Sequence, residues 1–227
     1  MDLQIEDKHI TIICDSDKDE LPAVIVNSFQ NEAEELYAEC VKAGVNDFIL
    51  ISVSNINWND DMSPWYMDPL FKREDPYLGK ADEYLDLLVN RIVPETERYI
   101  SDTLHKKIAY YAIAGYSLAG LFALYAAYRT DLFRRVMSAS GSMWYPGFLE
   151  YVEEHEIAKN VDRIYFSLGN RESDTKHELM CKVEDHTVRI CEHLSRSADA
   201  FYEENEGNHF KDPLSRMAKG IRYILKS

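Results

Sequence analysis

The sequence predicts an α/β fold: a mostly parallel central sheet with helices on both faces. Two observations predict it. Short, β-branched apolar runs alternate along the chain with longer segments of helical period, the order of successive β-α-β units. Several of those runs are apolar almost without interruption, as strands buried on both faces are, and do not alternate with polar residues as half-exposed strands do. The chain has 227 residues and no internal repeat, low-complexity tract or Gly/Ser linker, so residues 1–227 are read as one domain.

The elements follow in order. His9–Cys14 is a short β-branched run suited to a sheet edge. Ala23–Phe29 and Asp47–Ser54 are apolar runs with the look of buried strands. Between them Asn31–Ala43 opens on Asn, Glu and Glu, a cap and an acidic first turn. Residues 55–80 form a long connection carrying Trp58, Met62, Trp65, Tyr66, Met67 and three prolines, and connections of this length often serve function. Ala81–Tyr99 sets Leu85, Leu88, Ile92 and Val93 on one helical stripe. Lys107–Ala114 is a strand, followed by Leu118–Arg129, a helix apolar all round and therefore buried on most sides. Arg135–Ser140, Arg163–Leu168 and Ala198–Glu203 complete the strands, and the stretch after Arg135–Ser140 is too short for a large helical lid. His177–Ser195 is amphipathic with an acidic outer face. Asp212–Leu225 begins Asp-Pro, a cap and a first-turn proline, and repeats Leu214, Met217, Ile221 and Ile224 at helical spacing.

Composition narrows the function classes. Hydrophobic residues make up 46% and charged residues 29%, both ordinary for a globular protein, and the formal net charge is −15. Phosphate backbones and anionic membrane surfaces repel such a chain, so neither nucleic acid nor a membrane is an expected partner. No run of 18 apolar residues is present, and the first residues, Met-Asp-Leu-Gln-Ile-Glu-Asp-Lys, are too polar for a signal peptide. Cys14, Cys40, Cys181 and Cys191 lie far apart with no Cys-x-x-Cys pair, which suits reduced thiols in a cytoplasmic protein; a secreted form without its leader is the other reading. No cofactor or metal is expected. His186 and His193 share an acidic helix but lack the i, i+4 spacing of a ligand pair, so they are read as part of a solvated face.

Chemistry enters at residues 115–120, Gly-Tyr-Ser-Leu-Ala-Gly. Small residues two before and two after a serine let the chain fold sharply from strand into helix, and the turn lifts the serine oxygen above the carboxyl ends of the strands. An apolar strand precedes this motif and an Ala-rich helix follows it, which is the required context. The competing use of such a serine is as a helix cap. His209, in Glu206-Gly-Asn-His-Phe210, stands between the last strand and the last helix, where a glycine-bearing loop can aim an imidazole at a hydroxyl.

With these residues the sequence resembles the serine-esterase branch of the α/β-hydrolases, which includes esterase D-like, feruloyl-esterase-like and siderophore-ester-hydrolysing proteins. The likeness is carried by Ser63-Pro-Trp65, the Gly79–Tyr99 segment, Gly115–Gly120, Ser138–Trp144, Phe166–Glu172 and Gly207–Phe210, and spans roughly residues 20–227. It departs at Ala119, where the family usually has glycine. The resemblance implies an α/β-hydrolase fold and an array running serine, acid, histidine along the chain, with Ser117 as nucleophile and His209 as general base. In the family the acid tends to sit three residues past the glycine that closes its strand, which is Glu172 here; Asp174 competes with it. The oxyanion donors expected from the fold are the backbone N–H groups of Phe29 and Leu118. Trp58, Trp65, Tyr116 and Trp144, with Tyr145, are expected near the carboxyl ends of the strands as pocket walls, although core packing would explain each of them as well. The implied activity is hydrolysis of small-molecule carboxylic esters. Acyl transfer or peptide cleavage on the same residues, or a binding module without activity, are the alternatives.

Overall fold

The apolar runs become strands in a computed structural model that describes residues 1–226. In chain order the strands are β1 (Asp2–Ile5), β2 (Lys8–Ile13), β3 (Glu20–Asn27), β4 (Ile49–Ser54), β5 (Tyr66–Met67), β6 (Tyr77–Leu78), β7 (Lys107–Tyr116), β8 (Phe133–Ala139), β9 (Arg163–Gly169) and β10 (Asp199–Asn205). The helices are α1 (Ala33–Lys42), α2 (Trp58–Asp61), α3 (Ala81–Leu87), α4 (Val93–Asp102), α5 (Leu118–Arg129), α6 (Phe148–Glu154), α7 (Val183–Leu194) and α8 (Pro213–Leu225).

Eight strands form one sheet in the order β1-β2-β4-β3-β7-β8-β9-β10, with β5 and β6 pairing separately. β1 and β2 join antiparallel, β2 joins β4 antiparallel, and every pairing from β4 to β10 is parallel. All six residues of β4 are buried, as a strand covered on both faces requires. One apolar cluster lies under α3 to α7 and the other under α1 and α8, so the core is split by the sheet. No described helix is long and apolar enough to cross a membrane. This is the α/β-hydrolase architecture without a large lid: after β8 the chain reaches α6, a helix of only 7 residues.

The topology positions the site. After β3 the chain crosses to β4 on one side and returns through α2 to α4 to β7 on the other. The connections therefore diverge between β3 and β7, and a crevice opens at the carboxyl ends of those strands.

Several sequence expectations are corrected. β2 is not an edge strand, because β1 covers it through a tight reversal at Glu6, whose φ is 53°. Residues 55–80, expected only as a long connection, hold α2, β5 and β6: buried Asp60 accepts from the Leu78 N–H and pairs with Lys80 at 3.2 Å, tying α2 to the β5–β6 hairpin. The helix expected over Ala81–Tyr99 runs on to Asp102 and widens into a π-helical turn at Leu88–Ile92. Pro94, just beyond, has no N–H for the ordinary ladder, and a π turn absorbs such a gap. Asn31 does not cap α1; Glu32 holds the N-cap position, and neither it nor Asp212 before α8 makes a side-chain capping bond. His186 is half-buried, with Nδ1 3.0 Å from the Met143 carbonyl oxygen.

Candidate active site

At the end of β7 the backbone turns through Ser117 at φ 59° and ψ −123°, a left-handed conformation that L-residues rarely adopt. Three small residues make the turn possible. A Cβ on Gly115 would stand 2.1 Å from the Ala119 carbonyl oxygen, and one on Gly120 2.7 Å from Ser138 Oγ. Ala119, where glycine was the expectation from resemblance, is fully buried and the turn still forms. The Ser117 carbonyl accepts from the N–H groups of Gly120, Leu121 and Ser142, and its own N–H donates to Ala139, so the strained residue is held from both sides.

His209 comes from the loop between β10 and α8. Its Nε2 lies 3.1 Å from Ser117 Oγ and its Nδ1 lies 2.7 Å from Glu172 Oε2. Tyr116 fixes this loop by donating its hydroxyl to the His209 carbonyl oxygen at 2.6 Å. With Nδ1 protonated toward the carboxylate, Nε2 is left to accept the serine proton. Asp174 is exposed and makes no side-chain hydrogen bond or ion pair among the described residues, so only Glu172 of the two candidates meets the imidazole.

Glu172 has a setting that its sequence position does not announce. Its side chain is 4% exposed. Oε1 accepts from the Gly169 N–H at 2.6 Å, Ser140 Oγ at 2.7 Å and Arg216 Nη1 at 2.8 Å. Burial pushes the carboxyl up, but the bonds from His209, Gly169 and Ser140 together with the charge on His209 outweigh it, and the group is held below its ordinary value. Ionised Glu172 therefore stabilises the fold. That contribution is complete above the unfolded carboxyl value, about 4.3, and is lost as pH falls through the lower folded value. Glu172→Gln is expected to flatten the decline of the urea midpoint between about pH 5 and pH 3; a decline as steep as in the parent protein would count against it.

Arg216 is the residue that the sequence reading missed. It lies on α8 between apolar positions and is 2% exposed. Beyond Glu172 it donates to Ser140 Oγ and to the carbonyls of Glu206 and Asn208. One guanidinium thus joins the acid loop, the histidine loop and the end of β8.

The backbone N–H groups of Phe29 and Leu118 donate to no other group among the described residues. The Ser28 N–H beside them is taken by Val53 at 2.8 Å. A cleft of about 580 Å³ opens over Ser117 and His209, walled by Phe29, Trp58, Tyr116, Phe210, Leu214 and Met217. Trp58 and Tyr116 line it as expected from sequence; Trp65 and Trp144 do not. Trp65 folds back onto Tyr145 and Phe148 and donates its indole N–H to the Pro146 carbonyl at 2.8 Å. Trp144 is buried against Tyr145. Tyr145, also buried, donates to the Trp65 carbonyl oxygen. The Trp65 indole N–H and the Tyr145 hydroxyl thereby find carbonyl acceptors, which such groups need once they leave water.

The arrangement resembles known proteins. The Esterase family model, described as "Putative esterase", matches residues 25–213. The uncharacterized protein YbbA of Bacillus subtilis (strain 168) is 25% identical over 194 residues, covering 83% of this chain and 76% of the relative. An IroE-like serine hydrolase from Shewanella oneidensis superposes with a TM-score of 0.77 at 16% identity, covering 95% of this chain and 75% of that one. The siderophore hydrolase EstB from Aspergillus nidulans superposes with a TM-score of 0.72 at 16% identity, covering 99% of this chain and 93% of that one. At such identities the two structures share the fold.

Proposed function

Because the chain belongs to the Esterase family of carboxylic ester hydrolases, we propose that it cleaves small-molecule esters through an acyl-enzyme on Ser117. One observation carries the reading: the Ser117 hydroxyl lies 3.1 Å from His209 Nε2, and buried Glu172 backs the same ring at 2.7 Å. Ser117 Oγ attacks the ester carbonyl as His209 takes its proton. The carbonyl oxygen gathers negative charge, and the Phe29 and Leu118 N–H groups, uncommitted to other acceptors, are available to hold it. Leu118 opens α5, so the positive end of that helix adds to the same field. The tetrahedral adduct collapses, the C–O bond to the alcohol breaks, and His209 returns the proton to the leaving oxygen. Water, deprotonated by His209, then attacks the acyl-serine and releases the acid. Glu172 keeps the ring in the tautomer and orientation both steps need, and stabilises it while charged.

A fluorophosphonate probe is expected to label the protein stoichiometrically at Ser117, read by peptide mass spectrometry, with loss of 4-nitrophenyl ester hydrolysis in parallel. Labelling at any other residue, or none, defeats the reading. An inert binding module would leave the probe unreacted.

A further inference from the structure

We propose that the cleft sorts esters by charge, taking cationic and neutral ones and turning away anions, with Glu32 setting the sign; the proposal rests on the esterase reading above. Among the described residues that wall the cleft, Glu32 is the only carboxylate, the other ionisable groups are the His209 imidazole and the Tyr116 phenol, and no lysine or arginine lines it. An anionic substituent brought into these apolar walls would give up its hydration for no cation. The basic groups nearby are already committed. Arg216 lies behind Tyr116, whose hydroxyl is 3.4 Å from Nη1, with both Nη groups bonded to Glu172, Ser140 and two carbonyls, and Lys211 pairs with Glu206 at 3.2 Å.

The start of α1 would ordinarily favour an anion. Here Glu32 occupies its N-cap position and lines the cleft, and Glu34 and Glu35 stand in its first turn outside the cleft wall, so the start of the helix carries net negative charge. Glu32 Oε2 accepts the Gln30 N–H at 3.2 Å, and Oε1 has no partner among the described residues.

The aromatic walls favour the same sign. Phe29 is 64% exposed and meets Trp58 edge-on at 5.1 Å, and Phe210 on the opposite loop is 85% exposed. Large aromatics held in solvent at one cleft are a recognition surface, and π-faces beside a carboxylate suit an alkylammonium group. The chain's net charge of −15 repels anions at longer range.

Three matched substrates test this: the 4-nitrophenyl esters of 4-(trimethylammonio)butanoic acid, of its uncharged isostere 5,5-dimethylhexanoic acid, and of glutaric acid as the anionic half-ester. Each kcat/KM is divided by the imidazole-catalysed rate for the same ester to remove intrinsic reactivity. At low salt the cationic ester is expected to exceed the anionic one by about tenfold or more, with the neutral ester between. Glu32→Gln should shrink that ratio severalfold, and Glu32→Lys should shrink it further or reverse it. An anionic ester turned over within twofold of the cationic one, or a ratio unmoved in both Glu32 variants, overturns the proposal. Ser117→Ala assayed on the neutral ester separates the two levels. If it abolishes turnover while the charge ratio is flat, only the charge rule fails. If turnover survives it, the esterase reading fails and takes the charge rule with it.

Discussion

Ser117→Ala is expected to lower kcat on 4-nitrophenyl butyrate by about 10⁴-fold or more, leaving KM and the fold nearly unchanged. The size follows from the chemistry: without Oγ there is no acyl-enzyme, and the remaining oxyanion donors and cleft walls accelerate only direct attack by water. The fold should survive because Ser117 is anchored through its backbone, by the Ala139 carbonyl and by the N–H groups of Gly120, Leu121 and Ser142. Stability supplies a second readout. Ser117 sits at φ 59°, where a side chain is strained by about 1–3 kcal/mol. Ser117→Gly relieves that strain and should be as inactive as the alanine variant but unfold at higher urea. Equal midpoints for Gly and Ala would show that no strain is stored at the turn. Residual activity above one per cent in either variant would remove Ser117 from the reaction.

What the sequence could disclose follows from where each physical constraint is written. The sharp turn at Gly115–Gly120 is local: the small residues that permit it are neighbours in the chain, so the motif is readable without coordinates. The parallel core is readable for the same reason, since burial on both faces leaves an unbroken apolar run such as Ala23–Val26. The short elements were not. β1 alternates over only four residues, and α6 spans two turns inside a stretch of aromatics, too little for either period to register. The pocket was half legible. Trp58, Trp65 and Trp144 look alike as loop tryptophans, and only the fold decides which of them finds a carbonyl or a core to pack into. Glu172 could be preferred to Asp174 by its offset from Gly169 alone, because the partners that hold it, Ser140, His209 and Arg216, lie 32, 37 and 44 residues away. Arg216 carried no signal. A charged residue at an inward helix position reads as a break in the apolar stripe, and its purpose appears only once three loops converge on it.

That convergence gives the other large effect. Arg216→Met should destabilise the protein by about 3–5 kcal/mol, because it leaves the 4%-exposed Glu172 carboxylate without its fixed cation. It also leaves the Glu206 and Asn208 carbonyls without their donor. Glu172→Gln should cost less, since an amide oxygen can still accept from Gly169 N–H and Ser140 Oγ while Arg216 keeps its other acceptors. The decisive experiment combines them. If the two residues act as an ion pair, the double variant loses less than the sum of the single losses by about 1–3 kcal/mol, since removing the second charge erases the cost of burying it alone. Arg216→Lys should recover part of the pair energy but not the two loop carbonyls, because an ammonium cannot span the acid loop and the histidine loop as the planar fork does. Its stability should therefore fall between the parent and Arg216→Met, while its kcat stays depressed as the His209 loop loosens. Additive losses in urea at pH 7 would mean that Arg216 serves packing alone, and that the charge on Glu172 is balanced by His209 without it.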